Sequence, residues 1–165
     1  MQDILKVVTG YLIEKINSLE PPYTIKIPRD LLEYLTDFYF KAYLNNPTLN
    51  IEGGKLVIEG VNFIKIRAEL SFEPGVWNEE HREILVKMKL NKVLMPFIKS
   101  FITPFEAKTE GIVRYREGLV IIDVESAIKK SQIIDSCTKP LRKSVKLSDI
   151  KITESGIEFV FTKHD

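Results

Sequence analysis

The segment Asn78-Glu79-Glu80-His81 places two carboxylates beside an imidazole, and His81 is one of only two histidines in the chain. Such a group can bind a cation or relay a proton. However, consecutive residues at the mouth of a strand point in different directions, and the His-Glu spacing of metalloproteases is absent. We therefore interpret the segment as a solvated loop and predict no metal site and no catalytic residue in it.

Nucleophilic and phosphate-binding chemistry find no support in the sequence. Cys137 is the only cysteine and has no histidine nearby in the chain, so we expect a small apolar side chain and no intramolecular disulfide. No G-x-S-x-G motif is present. Gly54-Lys55 is followed by Leu56, where a phosphate-binding loop needs serine or threonine. We expect no cofactor.

Two further carboxylates, Asp123 and Glu125, follow the end of a predicted strand, where active sites do occur. The N-cap of a helix explains Asp123 as well. An enzyme built on this chain would have to use these two groups or Glu79 and Glu80, and we rank that function third.

The stretch between Ser126 and Ser148 is basic, with a single acid, Asp135. Its cations could contact the phosphates of a lipid surface or of nucleic acid. The window contains no aromatic residue that could stack on bases, which argues against nucleic acid. The alternative interpretation is a solvated helix end and loop. The basic residues are Lys129, Lys130, Lys139, Arg142, Lys143 and Lys146.

In the segment 93–108, VLMPFIKSFITPFEAK, eight of the first thirteen residues are apolar, leaving aside two prolines. Its apolar residues follow helical spacing, which predicts a helix over 94–106, with Pro96 in the first turn and Pro104 at a kink or end. They surround most of that helix instead of forming one stripe, so the helix must be covered on every side. It is core, the wall of a pocket or a subunit interface. The candidate ligand contacts are Phe97, Ile98, Phe101, Ile102 and Phe105.

Three residues elsewhere would complete such a pocket. Trp77 lies in a predicted loop, where its ring could cap the core edge or contact a membrane surface. Tyr39 and Tyr43 fall on the apolar stripe of a predicted helix that follows Pro28, and their hydroxyl groups could orient a ligand.

Periodicity elsewhere predicts the elements that would position these groups. Residues 2–19 and 124–136 are predicted helices. Segments 62–72 and 82–93 alternate apolar and polar residues and predict two long antiparallel strands joined by a loop at 73–81. Gly53-Gly54 and Glu117-Gly118 predict the turns of two hairpins. Segments 145–153 and 157–162 predict the strands of a third hairpin. The fold class is α+β: a curved antiparallel sheet of long amphipathic strands with helices packed on its apolar face. We expect one domain over residues 1–165.

The composition sets broad limits on partners and location. The chain has 24 basic and 23 acidic residues among 165, so no global field directs it to nucleic acid. The first residues lack the basic start and unbroken apolar run of a secretory signal, and no apolar run reaches the ~18 residues that span a bilayer. We expect a cytoplasmic protein.

Two functions take precedence over an enzyme. The first is a non-catalytic binding module that encloses an apolar or lipid-like ligand between the curved sheet and helix 94–106. The second is a homodimeric or other interaction domain that uses the same apolar surface. Long strands wrapped around an apolar helix are also the plan of the tubular lipid-binding proteins, which the predicted architecture resembles in layout alone.

Overall fold

The computed structural model describes residues 6–8, 10, 11, 22–130 and 145–163. The chain forms two antiparallel sheets with helices between the strands. In chain order the elements are β1 (Tyr23–Pro28), α1 (Arg29–Phe40), β2 (Asn45–Glu52), β3 (Lys55–Asn62), β4 (Ile64–Trp77), β5 (Arg82–Leu90), a 3-10 turn (Met95–Phe97), α2 (Ile98–Lys108), β6 (Val113–Arg116), β7 (Leu119–Asp123), α3 (Val124–Lys129), β8 (Val145–Thr153) and β9 (Gly156–Lys163). This is the α+β class that the sequence predicts.

The larger sheet has six strands in the order β2-β3-β4-β5-β7-β6. Three of its connections are tight hairpins, and the Gly53-Gly54 turn takes φ values of 56° and 73° that favour glycine. In the central pair, Leu70 lies opposite Met88. The alternation of β4 and β5 is as predicted: Ile66, Ala68 and Val86 are buried on one face.

β4 is longer than predicted, because its pairing with β5 continues through the segment expected to be a loop. Glu73 and Pro74 lie opposite Leu85 and Ile84, and a register shift then leads to Trp77 opposite Arg82. The irregularity lies between Pro74 and Trp77 and so contains Gly75 and Val76, in keeping with the occurrence of glycine at bulges.

The smaller sheet has the order β1-β9-β8. Ile27, Ile150 and Ile157 of this sheet join the core formed by the first strands of the larger one. Within this sheet, β9 approaches β1 closely at Gly156, where φ is 145° and a Cβ atom would lie 2.1 Å from the carbonyl oxygen of Ile27. Only glycine fits this position.

Helices α1 and α2 cover the apolar face of the six-stranded sheet. The predicted helix 94–106 is divided into a 3-10 turn that contains Pro96 and a regular helix from Ile98 to Lys108. The sequence predicts that Pro104 kinks or ends this segment, and the helix does not end there. The helix continues because Phe105 packs against Phe40, with ring centroids 5.4 Å apart.

Two predicted helices are described only in part. Residues 6–8, 10 and 11 are helical, and the rest of the predicted helix 2–19 lies outside the described residues. α3 begins after Asp123, whose carboxylate accepts a hydrogen bond from the Ser126 amide at 3.0 Å. The predicted continuation from 131 to 136 lies outside the described residues.

Candidate functional site

A cavity of about 560 Å³ lies between the six-stranded sheet and the two helices that cover it. Of the 25 residues that line it, none is charged. They are Leu32, Leu35, Thr36, Tyr39, Phe40, Tyr43, Leu44, Leu56, Ile58, Asn62, Ile66, Ala68, Leu70, Phe72, Val86, Met88, Leu90, Ser100, Phe101, Ile102, Pro104, Phe105, Val113, Val120 and Ile122.

The floor of the cavity consists of the inward residues of β3, β4, β5 and β7. They line one face because successive side chains of a strand alternate between faces. Ala68 is central to this floor, since it lies opposite both Ile58 and Leu90 on the neighbouring strands. Its short side chain leaves room above the middle of the sheet.

Helix α1 forms one wall through residues three and four positions apart, which share a helix face. Leu32 and Thr36 are its most buried members. The Thr36 hydroxyl donates to the Leu32 carbonyl oxygen at 2.8 Å, so its polar atom has a partner within the helix. Thr36 therefore presents its methyl group at little polar cost.

Helix α2 forms the opposite wall through Phe101, Ile102 and Phe105. The two walls meet where the ring of Phe105 contacts Phe40 and Tyr43, at centroid distances of 5.4 and 5.7 Å. The Lys108 ammonium lies 4.7 Å from the Tyr43 ring centroid and adds a cation–π contact on that side. These aromatic contacts join the two walls of the cavity.

Few polar groups reach the cavity. Burial raises the pKa of the Tyr39 hydroxyl above its ordinary value, so this group stays protonated and can donate a hydrogen bond at neutral pH. Asn62, at the end of β3, and Ser100, in the first turn of α2, line the cavity and are also exposed. They mark a mouth through which the cavity reaches solvent.

The predicted ligand contacts separate into two groups. Tyr39, Tyr43, Phe101, Ile102 and Phe105 line the cavity together.

The other three predicted contacts lie elsewhere. Phe97 is 58% exposed, and Ile98 packs into the core beside Val86. Trp77 packs edge-on against Phe161, at the opposite end of β4 from the mouth. Phe97 belongs to the 3-10 turn before α2, whereas Ile98 is the first residue of α2.

The carboxylates considered for catalysis have structural partners. Glu125 is buried and forms an ion pair with the equally buried Arg82. Lys129 adds a second contact to Glu125 at 3.8 Å. This pair joins the end of β5 to helix α3 and makes Glu125 an acceptor with its charge already compensated.

Asp123 also has partners within the chain. Burial raises its pKa, but hydrogen bonds from the Ser126 amide and hydroxyl outweigh this effect, with help from the charges of Arg114 and His81. The net result is a pKa below the ordinary aspartate value. Arg114 lies 3.2 Å from Asp123 and 3.5 Å from Glu83. A carboxylate so stabilised is a weak base.

The segment 78–81 is a turn organised by Asn78. Its side-chain oxygen accepts hydrogen bonds from the amides of Glu80 and His81, both at 2.8 Å. Glu79, Glu80 and His81 are exposed. Across the described residues there is no cluster of three His, Cys, Asp or Glu that could hold a metal ion.

The basic cluster is only partly visible. Lys129 pairs with Glu125, and Lys130 contacts Glu110 at 3.0 Å and the Thr109 carbonyl oxygen at 3.1 Å. Lys146 belongs to β8. Lys139, Arg142 and Lys143 lie outside the described residues, as do Cys137 and His164. Lys129 and Lys130 therefore neutralise acids of this chain.

The sequence placed Tyr39 and Tyr43 of the α1 wall correctly on the apolar stripe, but it missed Leu32 and Thr36, the most buried residues of α1, and both residues of the mouth. A threonine in a buried stripe gives no apolar signal. Asn62 and Ser100 carry no local pattern either, because only the tertiary fold brings them to one opening.

Comparison with models of protein families, with curated proteins and with solved structures finds no match to this chain. In the part of the chain that the structure describes, no helix is both long and apolar enough to traverse a bilayer.

Proposed function

We propose that this chain is a non-catalytic binding module that encloses one apolar chain of a lipid-like molecule. The supporting observation is the cavity of about 560 Å³, in which none of the described lining residues carries a charged side chain. Ligand sites in proteins are typically cavities of roughly 300–1,000 Å³ with apolar walls and a few polar groups. The partners of Glu125 and Asp123 argue against catalysis at the carboxylates.

The volume limits the size of the ligand. A water-sized group occupies ~30 Å³ of liquid volume, and a methylene group is of similar size. A cavity of about 560 Å³ therefore holds on the order of 19 such groups. That is one long acyl chain. A lipid with two long chains would leave one of them outside.

The polar groups of the cavity suggest how the ligand is oriented. The rings of Phe40 and Phe105 offer apolar contact and suit the apolar part of a chain. Asn62 and Ser100 at the mouth can donate hydrogen bonds to a head group that remains in water. Lys99, next to Ser100, is exposed and favours an anionic head group.

Native mass spectrometry of protein purified without detergent tests the proposal. We expect a monomer with added mass that dissociates on activation, and uptake of palmitate after the protein has been stripped of lipid. A dimer without added mass and without palmitate uptake would contradict the proposal and favour the interaction domain.

A pair of variants on α2 locates the binding. Phe101→Asp puts a carboxylate into the cavity wall and should abolish palmitate uptake, because a charge buried in an apolar site is costly. Thr103→Asp adds the same charge at an exposed position of the same helix and should leave uptake unchanged. Both variants are compared only after circular dichroism shows native folding. Equal uptake by folded Phe101→Asp and Thr103→Asp would place the ligand elsewhere.

A further inference from the structure

Exposed apolar side chains gather at the end of the six-stranded sheet where the cavity opens. They come from the β3–β4 turn and from the connection between β5 and α2. Asn91 holds these two segments together, since its side chain accepts from the Arg67 amide at 2.7 Å and donates to the Lys65 carbonyl oxygen at 2.8 Å. We name this surface the apolar tip; it consists of Val61, Phe63, Ile64, Val93, Met95 and Phe97.

Phe63 is the most unusual member of the apolar tip. Its φ is 62°, in the left-handed region that bulky residues rarely adopt and that asparagine or glycine adopts more readily. Its side chain is fully exposed, so packing against the protein does not offset this strain. The sequence thus presents an aromatic ring at a turn where asparagine would be easier to accommodate.

The apolar tip borders the mouth of the cavity. Phe63 follows Asn62 directly, and Phe97 precedes Ser100 by three residues, almost one helical turn. A surface on which the apolar tip rests would therefore also face the opening.

The charge around the apolar tip is positive. Lys65 and Arg67 of β4 are paired with Glu59 and Glu52 on the outer face, so the uncompensated charge comes from segment 91–105, which contains two lysines and no acid. Lys92 and Lys99 are exposed and form no ion pair with any described residue. On the outer face of the same strands lies a shallow depression of about 500 Å³ with four cations and two acids. These six are Lys65, Arg67, Lys89, Lys92, Glu59 and Glu69.

We propose that the apolar tip docks on an anionic phospholipid bilayer, so that an acyl chain can pass between the bilayer and the cavity. This proposal rests on the proposed function of the cavity. Exposed apolar side chains enter the headgroup region, and the surrounding lysines are attracted to anionic lipid. A second copy of the chain fits less well, because a two-fold interface centred on the apolar tip would bring Lys92 and Lys99 near their own copies.

Vesicle flotation tests the docking. Vesicles of phosphatidylcholine mixed with phosphatidylglycerol should bind the protein, and vesicles of pure phosphatidylcholine should bind it more weakly. Phe63→Asn removes the ring and suits the left-handed turn, so its melting temperature should not fall. We expect this variant to bind mixed vesicles about tenfold more weakly. Lys92→Gln with Lys99→Gln should abolish the preference for anionic vesicles.

A matched pair of variants controls for general loss of apolar surface. Phe97→Gln changes a side chain of the apolar tip that is 58% exposed, and Tyr34→Gln changes one of equal exposure on α1. Only Phe97→Gln should weaken vesicle binding. Equal effects of the two substitutions would overturn the proposal.

Binding of a fluorescent fatty acid without vesicles separates the two proposals. Both proposals are supported if wild type and Phe63→Asn take up the fatty acid and only the variant loses vesicle binding. Uptake without any vesicle binding overturns the docking and leaves the cavity proposal intact. No uptake at all overturns the proposed function and with it the transfer of a chain. A dimer that Phe63→Asn dissociates would show that the apolar tip covers a second copy.

Discussion

Affinity for fatty acids should increase with chain length and then level off at the capacity of the cavity. Each buried methylene group contributes about 0.8 kcal/mol, which is roughly a fourfold decrease in Kd. Since the cavity of about 560 Å³ holds on the order of 19 water-sized groups at ~30 Å³ each, the gain should stop at roughly 19 carbons. Longer chains would leave carbons in water and gain nothing.

The Ala68→Leu variant tests whether this limit is set by the cavity. Ala68 is buried in the middle of the floor, and leucine adds three carbons there. The chain length at which affinity levels off should therefore shorten by about three carbons, because tightly packed interiors leave little room for compensation. Ala107→Leu makes the same change at an exposed position of α2 and should leave the limit unchanged.

The assay is displacement of a fluorescent fatty acid by saturated fatty acids of increasing length, each kept below the concentration at which it forms micelles. Wild type, Ala68→Leu and Ala107→Leu are titrated under the same conditions. Urea denaturation of each variant checks that the folded state persists. An affinity independent of chain length, or a limit that Ala68→Leu does not shift, would refute the assignment of the cavity as the ligand site.

Three predictions concern the framework that holds the cavity. Arg82→Ala should lower the free energy of unfolding in urea by about 3–5 kcal/mol, because it leaves the Glu125 carboxylate buried without its main partner; the double variant Arg82→Met, Glu125→Leu should recover most of this loss. The pKa of Asp123 is lower in the folded protein than in the unfolded chain, so its stabilising contribution is fully present above about pH 4 and decreases as pH falls through the folded-state pKa. Asp123→Asn should accordingly flatten the decline in stability below about pH 4, measured by urea denaturation at a series of pH values, and an unchanged decline would contradict this. Gly156→Ala should lower the melting temperature far more than Gly53→Ala, because the new Cβ would lie 2.1 Å from a carbonyl oxygen of β1, whereas at Gly53 nothing lies within 4 Å; similar melting temperatures would refute the close contact.

The sequence predicted the sheet well because the signal for a strand is local. In β4 and β5 the alternation of apolar and polar side chains indicates both the strand and the face that it buries. The Gly53-Gly54 and Glu117-Gly118 turns are specified within two residues. The pairing of these strands follows from the turns, so the antiparallel hairpins could be predicted without knowledge of the rest of the fold.

Prediction was less accurate where distant parts of the chain decide the outcome. β4 extends to Trp77 because β5 provides partners beyond Pro74. α2 continues past Pro104 to Lys108 because Phe105 is held by aromatic rings from the α1 side of the cavity. Local propensity favours a break at both positions, and tertiary contacts override it.

The candidate site shows the same division. Phe101, Ile102 and Phe105 could be selected from the sequence because an apolar helix must be covered. Whether the covering leaves a cavity depends on how two helices and four strands are spaced, and a short residue such as Ala68 matters only through what lies opposite it.

The sequence by itself therefore determined the class of fold, the amphipathic strands and the apolar helix, since each depends on residues close together in the chain. Only the tertiary structure decided that a cavity lies between α1, α2 and the sheet. It also decided that Asn62 and Ser100 share the mouth of this cavity and that Phe63 and Phe97 belong to one apolar tip. The physical reason is that volume, openings and surface patches are properties of elements packed together, and local patterns do not specify those distances.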